Sequence, residues 1–327
     1  MTTMRTAQAK AALAVFVVVA AGCGGSNSSA PTTRGASTLP SAFTIAARFS
    51  AQSLGLSDPR ALAIGPDGNV YVTDRTQRVT VISPEGEILR RWGRPGRGAG
   101  EFRFVSTDPS APKDVHGKIA VASNGMVYVS DSGNARVQVF TPQGRFVRQF
   151  GSYGNGTGQF ISPFDLLVDD AGDVYVVDDS SRALSKFSPK GKVLWRIGGN
   201  PSGDPDLAGH FHLASIDAHG RLVIANDDRG RIIYVDRNGH KVDVFGRRSQ
   251  FPSGACGVTV DAAGTTFVTS CVPGPTLVFD RTHRLVAESP GSNEPIQTSP
   301  SFGPNSEVFA LGWDGSVLKL HIVRPAG

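Results

Sequence analysis

The chain has 327 residues, and its 33 Lys and Arg exceed its 28 Asp and Glu for a formal charge of +5. That excess is modest and never gathers into a basic run, which argues against a nucleic-acid partner. Glycine (39) and proline (21) are abundant and no long helical pattern occurs, so the composition points to an all-β chain and away from a helical one.

Residues 1–22 read as a secretory leader. Arg5 and Lys10 make a basic start, and Ala11 to Ala21 is an uninterrupted apolar run. The run is shorter than the about 20 residues that a membrane-spanning helix needs. Removing the leader takes away Arg5 and Lys10, which lowers the charge from +5 to +3. Ala20-Ala21-Gly22-Cys23 resembles the bacterial lipobox, with Ala20 where leucine is more usual; the resemblance implies cleavage before Cys23 and a lipid on its sulfur. Residues 23–42 are rich in Gly, Ser, Thr and Pro, have almost nothing apolar to bury, and read as a tether. The expected location is therefore extracytoplasmic, with contact to the bacterial cell membrane through the lipid alone.

From residue 43 onward one phrase returns. It stands as GPDGNVYV at 65–72, ASNGMVYV at 122–129, DDAGDVYV at 169–176, DAHGRLVI at 217–224, DAAGTTFV at 261–268 and GPNSEVFA at 303–310. The marker positions 68, 125, 172, 220, 264 and 306 are 57, 47, 48, 44 and 42 residues apart. A period of about 40–50 residues built of short strands is that of a propeller blade.

The second unit shows the plan of four strands. Ile119–Val121, Val127–Val129, Arg136–Phe140 and Phe146–Phe150 alternate or are rich in β-branched residues, with Ser-Asn-Gly and Thr-Pro-Gln-Gly turns between them. The sixth unit stops after a third strand over 317–323, whereas Phe43–Phe49 looks like a fourth strand without a blade. Residues 43–327 are thus expected to form a six-bladed β-propeller whose ring is closed by the N-terminal strand, leaving no open sheet edge.

The second unit, 116–151, resembles the NHL repeat, with Asp131, Asn134 and Arg136 as its Asp-x-x-Asn-x-Arg loop. The likeness fades along the chain. The third unit keeps Asp178 but has Ala183 in the Arg column, the fourth has Asn226 with Arg231, and the fifth has Ser270 and Pro275.

With Cys23 assigned to lipid, Cys256 and Cys271 remain, an even pair in an exported domain. If the fifth unit's hairpin turns at Ala262-Ala263-Gly264-Thr265, these two cysteines lie directly opposite one another, within reach of a disulfide.

A propeller gathers its strand 2–3 loops and inter-blade loops on one face, around the mouth of the central channel. Recurring Asp and Arg residues such as Asp131 and Arg136 read as structural. The candidate ligand-binding set is His116, Asp178, Asp179, His212, Asn226, Asp227, Asp228 and Arg231, and the long connection 93–117 is a further candidate. Propeller lyases that resemble this family hold zinc with three histidines at strand-one starts. Here His116 and His212 stand near such positions, with Phe164 and Cys256 at others, so the set is incomplete. Gluconolactonase-like propellers imply a divalent cation on Glu, Asn and Asp, which Asp178, Asn226 and Asp227 imitate without a glutamate. No Gly-x-Ser-x-Gly elbow, phosphate loop or Cys-x-x-Cys is present. No catalytic residue is assigned and no cofactor is required. Two readings stand: a module that binds protein, peptide or envelope glycan, and a metal-dependent lyase or lactonase-like hydrolase.

Overall fold

The computed structural model describes residues 39, 41–104, 117–199, 203–289 and 296–323. The leader, Cys23, nearly all of the tether and His116 lie outside the described residues. The first strand is β1 (Phe43–Phe49). Blade one is β2 (Pro59–Ile64), β3 (Val70–Asp74), β4 (Arg78–Ile82) and β5 (Ile88–Trp92). Blade two is β6 (Ile119–Val121), β7 (Val127–Asp131), β8 (Arg136–Phe140) and β9 (Phe146–Phe150). Blade three is β10 (Pro163–Val168), β11 (Val174–Asp178), β12 (Ala183–Phe187) and β13 (Val193–Gly198). Blade four is β14 (Phe211–Ile216), β15 (Leu222–Asn226), β16 (Arg231–Val235) and β17 (Lys241–Phe245). Blade five is β18 (Gly257–Val260), β19 (Thr266–Thr269), β20 (Leu277–Phe279) and β21 (Leu285–Glu288). Blade six is β22 (Ser301–Phe302), β23 (Val308–Leu311) and β24 (Val317–Ile322), completed by β1.

The ring closes as its two ends suggest. β1 runs antiparallel to β24, from Phe43 opposite Ile322 to Phe49 opposite Val317, with a bulge between Ile45 and Ala47. Arg48 adds an ion pair to Asp314 at 2.6 Å across the seam. Five blades are single hairpin chains in simple order, and the sixth takes its outer strand from the other end of the domain.

Position within a blade sets burial. β3, β7, β11 and β15 are buried at every residue, because neighbouring blades cover both of their faces. Their sequences are accordingly near-continuous Val, Tyr, Ile and Leu. The outer strands are wetter, and β17 alternates between half-buried and exposed residues. Aromatic rings fill the seams between blades. Trp92 and Phe102 from the first blade and its exit loop both pack on Phe140 of the second, at 6.0 and 5.6 Å between centroids.

The hairpin turns share one chemistry. In the second blade the Ala122 N–H donates to Met126 O, and Gly125, at a φ of 80°, donates to Ala122 O. Only a residue at ease in the left-handed region fits there, and a Cβ on Gly125 would stand 2.9 Å from Pro142. The fifth blade uses the same turn, with Asp261 bonded to Thr265 and Gly264 at a φ of 81°. That corrects the expected register. Val260 pairs with Thr266 and Gly257 with Thr269, one residue out of step with a turn closed at Ala262 and Thr265, because Gly264 takes up a bulge position. Cys256 and Cys271 are nevertheless joined by a disulfide, with Cα atoms 4.8 Å apart just beyond the paired ladder.

The described part of the long connection, 93–104, is a structural loop with a counterpart at 151–162. Each is pinned by a parallel bridge, Pro95 to Phe102 and Tyr153 to Phe160, and drives its phenylalanine into the core.

The NHL-type loop of the second blade is a buried electrostatic knot. Asp131 is fully buried, and its carboxylate accepts from the Arg103 N–H, Asn134 Nδ2, Arg136 Nε and Gln138 Nε2 at 2.7–3.0 Å. Burial pushes the Asp131 carboxyl up, and Asn134, the Arg103 amide and Arg136 pull against it. Arg136 reaches on to Gly98 O and Glu101 O, so the pair ties the loop after blade one to blade two. Replacing Asp131 with Ala strands a buried guanidinium, and urea denaturation should show a loss of about 3–5 kcal/mol, with a smaller loss for Asp131→Asn.

Candidate functional site at the channel mouth

The first strands of the blades line a central cavity of about 420 Å³. Backbone repeats would make its wall apolar, and bulges interrupt that. In β10 an extra residue lies between Pro163 and Leu166, and in β14 between Leu213 and Ser215. Such bulges re-aim side chains. Asp165, inside the first of them, lines the cavity together with Lys118 at the entry to β6.

These residues form a row across three successive blades. The buried Asp165 carboxylate sits between Lys118 Nζ and His212 Nδ1, each 3.4 Å away. The Phe164 ring supports both partners, with Lys118 Nζ 5.1 Å from its centroid and the His212 ring edge-on at 5.5 Å. Burial works to raise the Asp165 carboxyl, but Lys118 and His212 together hold it below its ordinary value. A carboxylate that fixes one nitrogen of an imidazole leaves the other nitrogen oriented for a ligand or a proton.

A second row lies closer to solvent. His210 Nδ1 meets Asp179 Oδ1 at 2.8 Å, and its Nε2 meets Arg182 Nη2 at 3.1 Å. Asp228 accepts from the His210 N–H at 3.1 Å and pairs with Arg182 at 3.4 Å. The hydrogen bond to Asp179 raises the His210 pKa, and the reciprocal bond lowers that of Asp179. Asp227 lies between the rows. Burial pushes its carboxyl up, the neighbouring Asp228 adds to this and His212 opposes it, while its Oδ1 is buried without a hydrogen bond.

Asp179, His212, Asp227 and Asp228 therefore come together, joined by Asp165, Lys118, Arg182 and His210. The other expected members serve the fold. Asp178 is buried and accepts from the amides of Ile161, Ser162 and Ser181. Asn226 donates to Asp206 O and Ala208 O and accepts from the Arg229 N–H. Arg231 bonds Gly246 O and faces Asp206 at 3.6 Å. Asp178 and Asn226 thus direct their carboxylate and amide to backbone groups of the neighbouring loops, whereas Arg231 stays partly exposed. His210 sits close enough to His212 in sequence to have drawn notice, whereas Asp165 carried no signal beyond its place next to Phe164.

Metal donors are incomplete in this arrangement. Ligand atoms of His212, Asp227 and Cys256 lie within 4.8 Å of one another, the one such group among the described residues. The Cys256 sulfur is in the disulfide and has no thiolate to offer. Two donors of this group therefore remain among the described residues, and no step is assigned to a metal.

The fold defines the class, a six-bladed β-propeller. A family described as a 6-bladed beta-propeller, DUF5128, matches residues 114–194. The RING finger protein nhl-1 of Caenorhabditis elegans is 40% identical over 89 residues, which is 23% of this chain and 9% of that protein. The peptidylglycine alpha-amidating monooxygenase of Rattus norvegicus is 34% identical over 121 residues, 34% of this chain and 11% of that protein. The chain thus spans about a tenth of the length of these curated relatives. Among solved structures, the virginiamycin B lyase of Staphylococcus aureus shares the fold with a TM-score of 0.57 at 13% identity, over 82% of this chain and 96% of that one. A gluconolactonase of Xanthomonas campestris does so with a TM-score of 0.59 at 15% identity, over 89% and 99%.

The sign of the His210–Asp179 coupling is testable. A raised histidine contributes stability below its unfolded value and loses it as pH rises through the folded one; a lowered aspartate contributes above its unfolded value and loses it on acidification. Both contributions are therefore whole between about pH 4 and 6.5. An NMR titration should place His210 above the ordinary histidine range, and Asp179→Asn should bring it back down.

Proposed function

We propose that this protein is an exported, lipid-anchored propeller that binds a protein, peptide or envelope glycan at the channel mouth of blades three and four. The observation that carries this reading is the outer row of Asp179, Arg182, His210 and Asp228. These side chains are half-buried or exposed, carry both charge signs, and stand where the repeat does not require them. Arg182 and Asp228 line a separate pocket of about 300 Å³ with Gly199 and Gly209, and paired donors and acceptors there suit a polar, hydrogen-bonding ligand. The lipobox-like Ala20-Ala21-Gly22-Cys23 and the polar tether support the anchor. The modest charge of the chain speaks against nucleic acid.

The His212–Asp165 pair favours a second reading, a lyase or lactonase-like hydrolase, because an imidazole fixed by a carboxylate suits proton transfer. A metal-dependent form of that reading needs a third donor.

Binding of a muropeptide panel and a peptide library to the full chain, followed by thermophoresis, tests the first reading. Asp179→Ala and Asp228→Ala should each weaken any ligand found by roughly 5–30-fold, a change of about 1–2 kcal/mol per charge-assisted hydrogen bond lost. Lys190→Ala, in a turn on the opposite face, should leave affinity unchanged. Equal affinity across all three variants overturns the site. The anchor has its own measurement: Cys23→Ala should abolish labelling by a fatty-acid probe and move the protein out of the membrane fraction. Elemental analysis of the oxidised protein should find no stoichiometric zinc, manganese or calcium, and an ion whose chelation lowers the melting temperature would put the enzyme reading first.

A further inference from the structure

We propose that the Cys256–Cys271 disulfide gates a site for a zinc-class divalent cation, formed by His212, Asp227 and the Cys256 thiolate once that disulfide is reduced. Four independent features of the channel mouth converge on it. The donor atoms of these three residues already lie within 4.8 Å of one another, although they come from β14, from the loop after β15 and from the residue before β18. Tetrahedral ligands at about 2.0–2.3 Å from an ion stand roughly 3.3–3.8 Å apart, so closing on a cation needs only a small contraction. Asp227 Oδ1 is buried there with no hydrogen-bond partner, an arrangement that a cation would satisfy. Asp165 holds His212 through Nδ1 at 3.4 Å, which leaves Nε2 to ligate in the carboxylate–histidine–metal pattern.

The fourth feature is that the backbone at Cys256 does not depend on the disulfide. The Cys256 N–H donates to Thr269 O at 3.0 Å, holding the residue in line with the β18–β19 ladder. Cys271, by contrast, opens the loop 271–276, where its own N–H bond to Ser253 O is longer at 3.3 Å. Breaking the sulfur–sulfur bond therefore frees Cys271 to turn away and leaves Cys256 facing His212 and Asp227. Both cysteines are partly exposed, so a thiolate can reach them.

The chemistry balances with a dithiol as reductant. Its first thiolate attacks one sulfur of the pair and forms a mixed disulfide; its second thiolate displaces the remaining protein sulfur. The protein gains two thiols and the dithiol leaves as a cyclic disulfide. Binding the cation then releases the Cys256 thiol proton, and any proton on Asp227, to water. One nitrogen, one sulfur and one oxygen donor suit zinc or cobalt(II) better than calcium or magnesium, and three protein ligands leave a fourth position open to water or substrate. The oxidised protein is closed to the ion; the reduced protein is open. This inference stands apart from the binding reading above, since it concerns the inner row and a cation alone.

Cobalt(II) is the probe, because a thiolate–cobalt bond gives a charge-transfer band in the near ultraviolet. All measurements use the full chain in a Cys23→Ser background, so that only the pair supplies thiols. The oxidised protein should show no band. The dithiol-reduced protein, and Cys271→Ser without reductant, should each titrate to one cobalt per chain with the band present. Cys256→Ser should show none under either condition. His212→Ala should lose at least about 10-fold in affinity, and Asp165→Asn about 10–100-fold through the freed imidazole. Absence of the band in folded Cys271→Ser overturns the proposal, as does an equal band in Cys256→Ser. Circular dichroism in the presence of cobalt reports the fold, and if both the reduced protein and Cys271→Ser unfold there, the proposal also fails.

Discussion

Six sheets that stand radially around an axis leave their second and third strands with a neighbour on either side and water on neither. That one constraint accounts for most of what the chain does. It demands the Val-Tyr-Val runs of β3, β7 and β11, which would be aggregation-prone anywhere they were exposed. It also forces every polar group at the ends of those strands to find an internal partner. Asp131, Asp178 and Asn226 close their respective strands, and each is consumed by amides, carbonyls or an arginine from the adjacent loop. The repeat motif is thus a device for ending a buried strand without leaving orphaned hydrogen-bonding groups.

Chemistry is then confined to whatever the repeat leaves over. The leftover residues are unevenly placed. Lys118, Asp165 and His212 lie on three consecutive inner strands, and Asp179, Arg182, His210 and Asp228 lie on the loops directly above two of them. Blade five adds the disulfide, and β18 adjoins β14 by way of the Ser215 hydroxyl, which accepts from the Val260 N–H at 3.0 Å. The polar departures from symmetry in this ring therefore form a sector, centred on blade four.

How much of this could be read from the sequence depends on whether a signal recurs. The strands of blade two, and Phe43–Phe49 as the missing outer strand, are legible because the strand pattern returns six times, with a glycine turn in five units and Ser306 in the sixth. The register of the fifth hairpin was not, since choosing between a two-residue turn and one with a bulge at Gly264 needs the hydrogen bonds themselves. Asp179, Asp227 and Asp228 stood out as departures from the repeat, and His212 as a histidine at a strand-one start. Asp178, Asn226 and Arg231 occupy repeated columns, and the first two are buried among backbone partners whereas Arg231 is partly exposed. Asp165 carries no sequence signal because a bulge, not a motif, turns that stretch toward the axis, and Lys118 falls outside the repeated columns. The family match over 114–194 includes the second unit, where the loop motif is complete.

The seam of blade six has a consequence for the order of events when the chain is made. Arg48 and its partner Asp314 are 266 residues apart, so the first strand to emerge is among the last to find its neighbour. Contacts of such long range come late in folding and slow it. Until the final strand is available, β1 has no partner, and the blade faces beside the open seam lack the packing that closure supplies.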